Sequence, residues 1–236
     1  MGVTGFRPSA NGLHFSNAFP DQPALIVDLG VATLRIGNAA NGLCGGMVFA
    51  ALDYWTRGSP PPPDTIPPES GTVLASYLVR RLIDSWDLPR GPLTYLTLMN
   101  PVYPDGDRHV GPVTVPGRAR RIISREWPAI RRSLDAGRPC PLGLVRVRSA
   151  NPLELGKNHQ VLAYGYHLTG SDLRLDVYDP NRADDDGVVL GLDLADPASP
   201  VAVTAGGAGA EPSGIVCFFT VPYRPKTPPL PERGYW

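Results

Sequence analysis

Residues 158–167 read NHQVLAYGYH and residues 172–179 read DLRLDVYD, and these two stretches decide the fold. Both combine apolar runs with alternation of period two, which is typical of strands that bury one face. The turn-forming sequence Thr169-Gly170-Ser171 lies between them. The two stretches therefore predict an antiparallel hairpin.

The register of this hairpin decides which side chains share a face. With a three-residue loop at 169–171, the numbers of paired positions add to 340, so that Gly165 pairs with Leu175. The same register pairs Ala163 with Val177 and leaves one face apolar, as a sheet that covers a core requires.

This register also brings a histidine next to an acidic turn. His159, at the start of the first strand, lies opposite Asn181 and diagonal to Asp179 on one face. A carboxylate or an amide beside an imidazole can fix its tautomer and orientation. The hairpin therefore predicts a general base, His159, with Asp179 or Asn181 as its orienting partner. The simpler interpretation is a strand-end histidine that is hydrogen-bonded to a turn.

Outside the hairpin, helices are predicted in the first half of the chain and strands in the second. The helices are expected to begin at Cys44, to run from about Ser70 to Trp86, and to run from near Gly117 or Ser124 to Ala136. Further strands are expected at 140–147, 187–194 and 214–221, with a short one at 24–29 and β-prone pieces at 93–98 and 110–115. This order indicates an α+β fold rather than alternating βαβ units. We expect one domain over 1–236, mainly helical over 1–137 and an antiparallel sheet over 138–236.

Composition excludes several classes of function. The chain has 236 residues, of which 22 are Lys or Arg and 22 are Asp or Glu, so the formal net charge is 0. Nucleic-acid binding is not expected, because it requires a clustered basic excess. Hydrophobic residues make up 42% of the chain, which is enough for a packed core. No run of 18 apolar residues occurs, so we expect no membrane span.

The cysteines and the N-terminus bear on the cellular compartment. Cys44, Cys140 and Cys217 are odd in number and widely spaced, which disfavours a disulfide framework. The N-terminal sequence MGVTGFRPSANGLHF lacks the apolar run of a secretory signal. We therefore expect a cytoplasmic protein, and we expect neither a metal nor a cofactor. A metal site of Cys44, His159 and Asp179 would have three ligands but no supporting spacing.

Cys44 is the candidate nucleophile. It follows the polar turn Asn41-Gly42-Leu43 and opens the predicted buried helix. Unpaired backbone N–H groups and the helix dipole at this position favour a thiolate, which is the nucleophilic form. The alternative is a small, buried apolar residue. That alternative is the expected one for Cys140 and Cys217, which lie inside apolar strand runs.

In their order along the chain, these segments resemble the papain-like cysteine peptidase superfamily. The segments are an amide, a spacer and Cys-Gly at a helix start, LDAGRP before an apolar strand, NHQVLAYGY, and DVYDPN. Within the superfamily, the resemblance is to the bacterial branch of bacteriocin-leader peptidases and related C39-like domains. It covers about residues 35–181 and the strands that follow. It implies a papain-like fold, in which a buried, Cys-bearing helix packs on the antiparallel sheet.

The resemblance also implies roles for individual residues. Cys44 matches the nucleophile, His159 the general base and Asp179 the orienting residue, with Asn181 as a second candidate for that last role. The family places an amide, usually Gln, six residues before the nucleophile as the oxyanion donor. This chain has Asn38 at that position, one methylene shorter, and Asn41 is a nearby rival.

The predicted function is that of a cysteine-dependent peptidase or amidase that acts on a peptide or small acyl substrate through a thioacyl intermediate. An acyltransferase or transpeptidase on the same scaffold is the first alternative, because an amine or alcohol can replace water as the acceptor. The second alternative is a non-catalytic binding module. Its Pro-rich segments, 59–68 and 222–231, would dock to aromatic grooves of a protein partner.

Overall fold

A computed structural model describes residues 2–19, 26–28, 33–35, 42–207 and 213–230 of the chain. The helices are α1 (Pro8–Asn11), α2 (Cys44–Arg57), α3 (Val73–Ser85), α4 (Arg90–Met99), α5 (Arg118–Arg121) and α6 (Trp127–Asp135), with a π-helical turn at Ile122–Glu126 and a 3₁₀ helix at Pro152–Lys157. The strands are β1 (Gly2–Val3), β2 (Ile26–Asp28), β3 (Thr33–Arg35), β4 (Arg108–Val110), β5 (Val113–Val115), β6 (Cys140–Val145), β7 (His159–Thr169), β8 (Asp172–Tyr178), β9 (Val189–Asp193), β10 (Val203–Gly206), β11 (Ser213–Ile215) and β12 (Cys217–Thr220).

One antiparallel sheet dominates the second half of the chain. Its strand order is β11-β10-β9-β8-β7-β6-β12, and β1 pairs with β7 beyond the end of β6. Two separate hairpins, β2-β3 and β4-β5, lie in the first half with the helices. The predicted α+β class is therefore confirmed. The N-terminal arm, residues 2–19, contacts both halves of the fold, since β1 pairs with β7 of the sheet and α1 packs against α2.

The β7-β8 hairpin forms as predicted, but its turn is shorter. Near the turn the pairs run from Thr169↔Asp172 to Gly165↔Asp176, so their numbers add to 341 and Gly165 does not pair with Leu175. The loop has two residues and begins with Gly170, whose φ of +61° suits a type II′ turn. An irregularity between Ala163 and Gly165 absorbs one residue, which is what a β-bulge does. Beyond it Ala163 pairs with Val177, as predicted.

The central helix α2 begins at Cys44 and ends at Gly58, which adopts a left-handed conformation with φ of +69°. Every residue from Gly45 to Tyr54 is buried, so the prediction of a buried helix that begins at Cys44 is confirmed. The helix packs between α3 and β7. A Cβ at Gly46 would lie 2.2 Å from the backbone oxygen of Leu78, which shows how closely α2 and α3 approach.

A buried ionic cluster holds the C-terminal segment against these two helices. Asp53 of α2 and Arg81 of α3 are both fully buried, with Oδ2 and Nε 2.7 Å apart. Asp53 also accepts hydrogen bonds from the Tyr77 hydroxyl at 2.7 Å, the Tyr223 hydroxyl at 2.7 Å and the Lys226 N–H at 2.8 Å. The guanidinium also lies over the Phe49 ring. The Pro-rich C-terminal segment is therefore part of the folded body over residues 222–230, the part that the structure describes.

Several boundaries differ from the sequence-based expectation. The stretch 93–98 is not β but part of α4, because Tyr95, Leu98 and Met99, at the i, i+3 and i+4 spacing of a helix, pack against the core while Leu93 is exposed. The expected strand at 214–221 is two strands that meet at Val216, and each pairs with a different neighbour. Strand β10 was not predicted. The described residues include no helix with the length and apolar character that a membrane crossing requires.

Candidate active site

Cys44 is the first residue of α2 and is partly exposed at one end of the buried helix. Its thiol hydrogen-bonds with the His159 side chain and with the backbone N–H groups of Gly45 and Gln160. Burial acts to raise the pKa of the thiol. The charge of His159 and these hydrogen bonds outweigh burial, so the pKa lies below the usual value for cysteine. The surroundings therefore favour a thiolate.

His159 opens β7, and its ring is held from the side opposite Cys44. Its Nε2 lies 2.7 Å from Oδ1 of Asp179 and 3.4 Å from Nδ2 of Asn181. Because Nε2 bonds to Asp179, Nδ1 is the nitrogen left for the sulfur. Burial acts to lower the pKa of the imidazole, but the Cys44 thiolate and the Asp179 carboxylate raise it overall. The protonated ring is thus favoured between two negative groups.

Asp179 and Asn181 lie in the turn that follows β8. The backbone N–H of Asn181 donates to Oδ1 of Asp179 at 2.9 Å, which fixes the carboxylate that accepts from His159. Burial acts to raise the pKa of Asp179, but the His159 ring and the Asn181 N–H lower it overall. The structure therefore brings Cys44, His159 and Asp179 into one connected chain. Asp179 is closer to the imidazole than Asn181 is, by 2.7 against 3.4 Å.

The other two cysteines lie in different surroundings. Cys140 and Cys217 are buried in β6 and β12, and all three cysteines are free thiols. Burial raises the pKa of each of these two thiols to about 12. Both will therefore stay protonated at neutral pH, where the reactive thiolate is needed.

A cleft of about 640 Å³, part of it open to solvent, reaches Cys44 and His159. Its walls come from α3, α4 and the 3₁₀ helix, and are mostly aromatic or aliphatic. The residues that form these apolar walls are Leu82, Trp86, Pro92, Tyr95 and Leu155. The sulfur and the imidazole thus lie where the side chain or acyl chain of a substrate would be held by apolar contacts.

Two polar residues beside the site were not predicted. The hydroxyl of Tyr95, in α4, donates to the backbone oxygen of His159 at 3.0 Å and so ties α4 to the start of β7. Gln160 is buried, and its Nε2 donates to the backbone oxygen of Ser85 at 3.4 Å. Its Oε1 is buried and has no hydrogen-bond partner among the residues that the structure describes. The only signal in the sequence was the polar Gln160 at the start of an otherwise apolar strand.

A third residue that was not predicted lies in the N-terminal arm. The Asn17 side chain accepts a hydrogen bond from the Leu43 N–H at 2.7 Å and donates to Oδ1 of Asn181 at 3.2 Å. No local pattern around Asn17 marks it, because its partners lie far away in sequence. The predicted oxyanion donors, Asn38 and Asn41, lie outside the residues that the structure describes.

Within the described ranges, no cluster of three or more His, Cys, Asp and Glu side chains has an arrangement that could hold a metal ion. In the arrangement of Cys44, His159 and Asp179, the imidazole lies between the sulfur and the carboxylate.

Comparison with protein-family models, with curated proteins and with solved structures gives no match to this chain.

Proposed function

We propose that this protein is a cysteine-dependent acyl-transfer enzyme, most simply a peptidase or amidase, with Cys44 as its nucleophile. One observation carries the proposal: Cys44, His159 and Asp179 form a connected chain at an apolar cleft, and their surroundings favour the thiolate and imidazolium forms. A nucleophile, a base and a group that orients the base are the minimum for thiol-based acyl chemistry.

In the proposed reaction, the Cys44 thiolate attacks the carbonyl carbon of the substrate and forms a tetrahedral oxyanion. The backbone N–H of Cys44, at the start of α2, supports the oxyanion together with an amide from Asn38 or Asn41. The His159 imidazolium then gives its proton to the leaving amine as the C–N bond breaks, which leaves a thioester on Cys44. Asp179 holds the ring in place through both steps.

The second half of the reaction decides the enzyme class. Neutral His159 takes a proton from the acceptor, whose oxygen or nitrogen attacks the thioester, and the thiolate leaves. Water as acceptor gives hydrolysis, whereas an amine or alcohol gives acyl transfer or transpeptidation. We place the acceptor in the cleft beside His159. Because the nucleophile is a reduced thiol, we also propose a reducing compartment such as the cytoplasm.

We further propose a papain-like fold for the chain. Three features support the proposal: a cysteine on the first residue of a buried helix, a histidine on the first residue of a central strand, and an Asp-Pro-Asn turn after the next strand. They occur in the order that the resemblance requires.

The test is acylation by p-nitrophenyl acetate, followed by peptide mapping with mass spectrometry. We expect an acetyl thioester on Cys44 well before any adduct on Cys140 or Cys217, and we expect it to be slow to form in His159→Ala. Cys44→Ala should lose this early adduct and should keep its melting temperature, because the sulfur lies at a cleft and leaves little cavity. Equal reactivity of all three cysteines in the folded protein would refute the enzyme and favour a non-catalytic binding module.

We also propose that the Pro-rich segments bind a protein partner, a role separate from the chemistry at Cys44. Residues of the 59–68 loop and of the C-terminal segment line a second groove, where the Tyr54 hydroxyl donates to the Pro229 oxygen at 2.7 Å. Ile66 and Leu230 are exposed there. Binding of a protein partner at this groove remains a prediction. Loss of such binding would leave the chemistry at Cys44 intact.

A further inference from the structure

The N-terminal arm contacts both halves of the candidate active site at Asn17. Its backbone N–H donates to the oxygen of Pro180 at 2.8 Å, inside the turn that carries Asp179. Its side-chain Nδ2 donates to Oδ1 of Asn181 at 3.2 Å. Two hydrogen bonds therefore attach Asn17 to the turn that orients His159.

The same side chain also attaches to the nucleophile segment. Oδ1 of Asn17 accepts a hydrogen bond from the Leu43 N–H at 2.7 Å, directly before Cys44. Leu43 is the N-cap residue of α2. In a capping box the side chain at the third helical position would accept from the N-cap N–H, but that position is Gly46, so the Asn17 amide oxygen satisfies this backbone group instead.

The fit between Asn17 and this segment is tight. A Cβ placed on Gly42 would lie 2.2 Å from Nδ2 and 2.6 Å from Oδ1 of Asn17. Such distances are far below van der Waals contact, so the backbone at Gly42 lies against the amide and leaves no room for a side chain. The amide is thus held between Gly42 and Asn181.

We propose that Asn17 is a positioning residue that sets the distance and orientation of Cys44 relative to His159. This inference rests on the proposed function, because it concerns the geometry of the same thiolate and imidazolium. One amide group spans the two segments, with its oxygen on the Cys44 side and its nitrogen on the Asn181 side. Asn181 in turn contacts His159 through Nδ2 and Asp179 through its backbone N–H. Removal of the amide should let the sulfur and the imidazole drift apart.

The test compares Asn17→Ala with Asn11→Ala in the full chain. Asn11 is a matched control in the same arm, since its Oδ1 accepts from the Arg7 N–H at 2.9 Å and, among the described residues, its side chain has no hydrogen bond to either catalytic segment. The readout is the pH profile of Cys44 alkylation by iodoacetamide, with acetyl-ester turnover beside it. In Asn17→Ala we expect the low-pH limb of the profile to move towards that of a free thiol, and turnover to fall about 10-fold. Asn11→Ala should keep both at the wild-type level.

A second variant tests the inference if Asn17→Ala does not fold. Asn17→Asp keeps an oxygen acceptor for the Leu43 N–H but removes the Nδ2 donor, so we expect a folded protein with part of the same shift in pH profile. A purely structural role would lower melting temperature and leave the profile unchanged, and this result would overturn the inference while the proposed function stands. If wild-type Cys44 already titrates as a free thiol, the proposed function and this inference are both wrong.

Discussion

The buried pair of Asp53 and Arg81 offers a prediction whose size can be worked from the structure. Asp53→Asn keeps the shape of the side chain and removes its charge. Both partners are almost completely inaccessible, at 0% and 1% side-chain exposure, so water cannot replace the lost interaction. The new amide nitrogen would face Nε of Arg81 or, in the flipped amide, Nη2 of Arg81 and the Lys226 N–H, and none of these groups can accept a hydrogen bond. A tyrosine hydroxyl could accept on either side only by giving up its own bond to residue 53.

The magnitude follows from what remains around the guanidinium. Removing one partner of a buried ion pair typically costs about 3–5 kcal/mol, because the other charge is left buried. Arg81 keeps Asp84 at 2.7 Å and the Arg224 oxygen at 3.0 Å, which places the expected cost at the lower end, about 3 kcal/mol. In a chain of this length, a loss of about 3 kcal/mol lowers the melting temperature by about 6–12 °C.

The assay is thermal and urea unfolding, with Asp84→Asn as the matched control. Asp84 bonds to the same guanidinium, but its side chain is 31% exposed, so its loss should cost at most about 1 kcal/mol. We expect Asp53→Asn to be clearly the less stable of the two. If the free energies of unfolding of the two variants differ by less than about 1 kcal/mol, burial does not determine how much each carboxylate stabilises the protein, and the reasoning is wrong.

Two further outcomes concern the site itself. In Asp179→Asn the negative charge that favours the imidazolium is lost, so the pKa of His159 should fall and the pKa of Cys44 should rise. The low-pH limb of Cys44 alkylation should therefore move to higher pH. An unchanged pH profile would remove Asp179 from the proposed triad. In Gly45→Ala the new methyl group would lie 2.2 Å from Oγ of Ser85, which should cost about 1–3 kcal/mol in urea unfolding despite the better helix propensity of Ala. Ser85→Ala in the same chain should recover part of that loss, and an unaltered or raised stability of Gly45→Ala alone would contradict the expected clash.

The parts of the site that the sequence predicted are those encoded by short, local patterns. Cys44 stands where a polar turn meets an apolar run, and the helix begins there. The hairpin pattern placed His159 near Asp179, and the 2.7 Å hydrogen bond between them is present. The prediction survived an error in the turn because the bulge near Tyr164 restores the predicted register before the strand reaches the site.

The parts that the sequence did not predict depend on distant contacts. Helix α4 reads as β-prone at Thr94 and Thr97, yet packing of its apolar face decides its conformation. Asn17 meets Leu43 and Asn181 only after the whole chain has folded, since those partners are 26 and 164 residues away. Spacing rules describe one element at a time, so they cannot identify a residue that joins two of them.

Hydrogen-bond donors, acting against burial, make the candidate site selective among the three thiols. Removing a thiol from water disfavours its charged form, and burial raises the pKa of Cys140 and Cys217 to about 12. Burial also acts on Cys44, but there two backbone N–H groups and a paired imidazole point at the sulfur and reverse its effect. The arrangement of these donors therefore distinguishes Cys44 from its neighbours more than exposure does. Since the donors come from the start of α2 and the start of β7, a change that separates these two elements should reduce reactivity before it unfolds the protein.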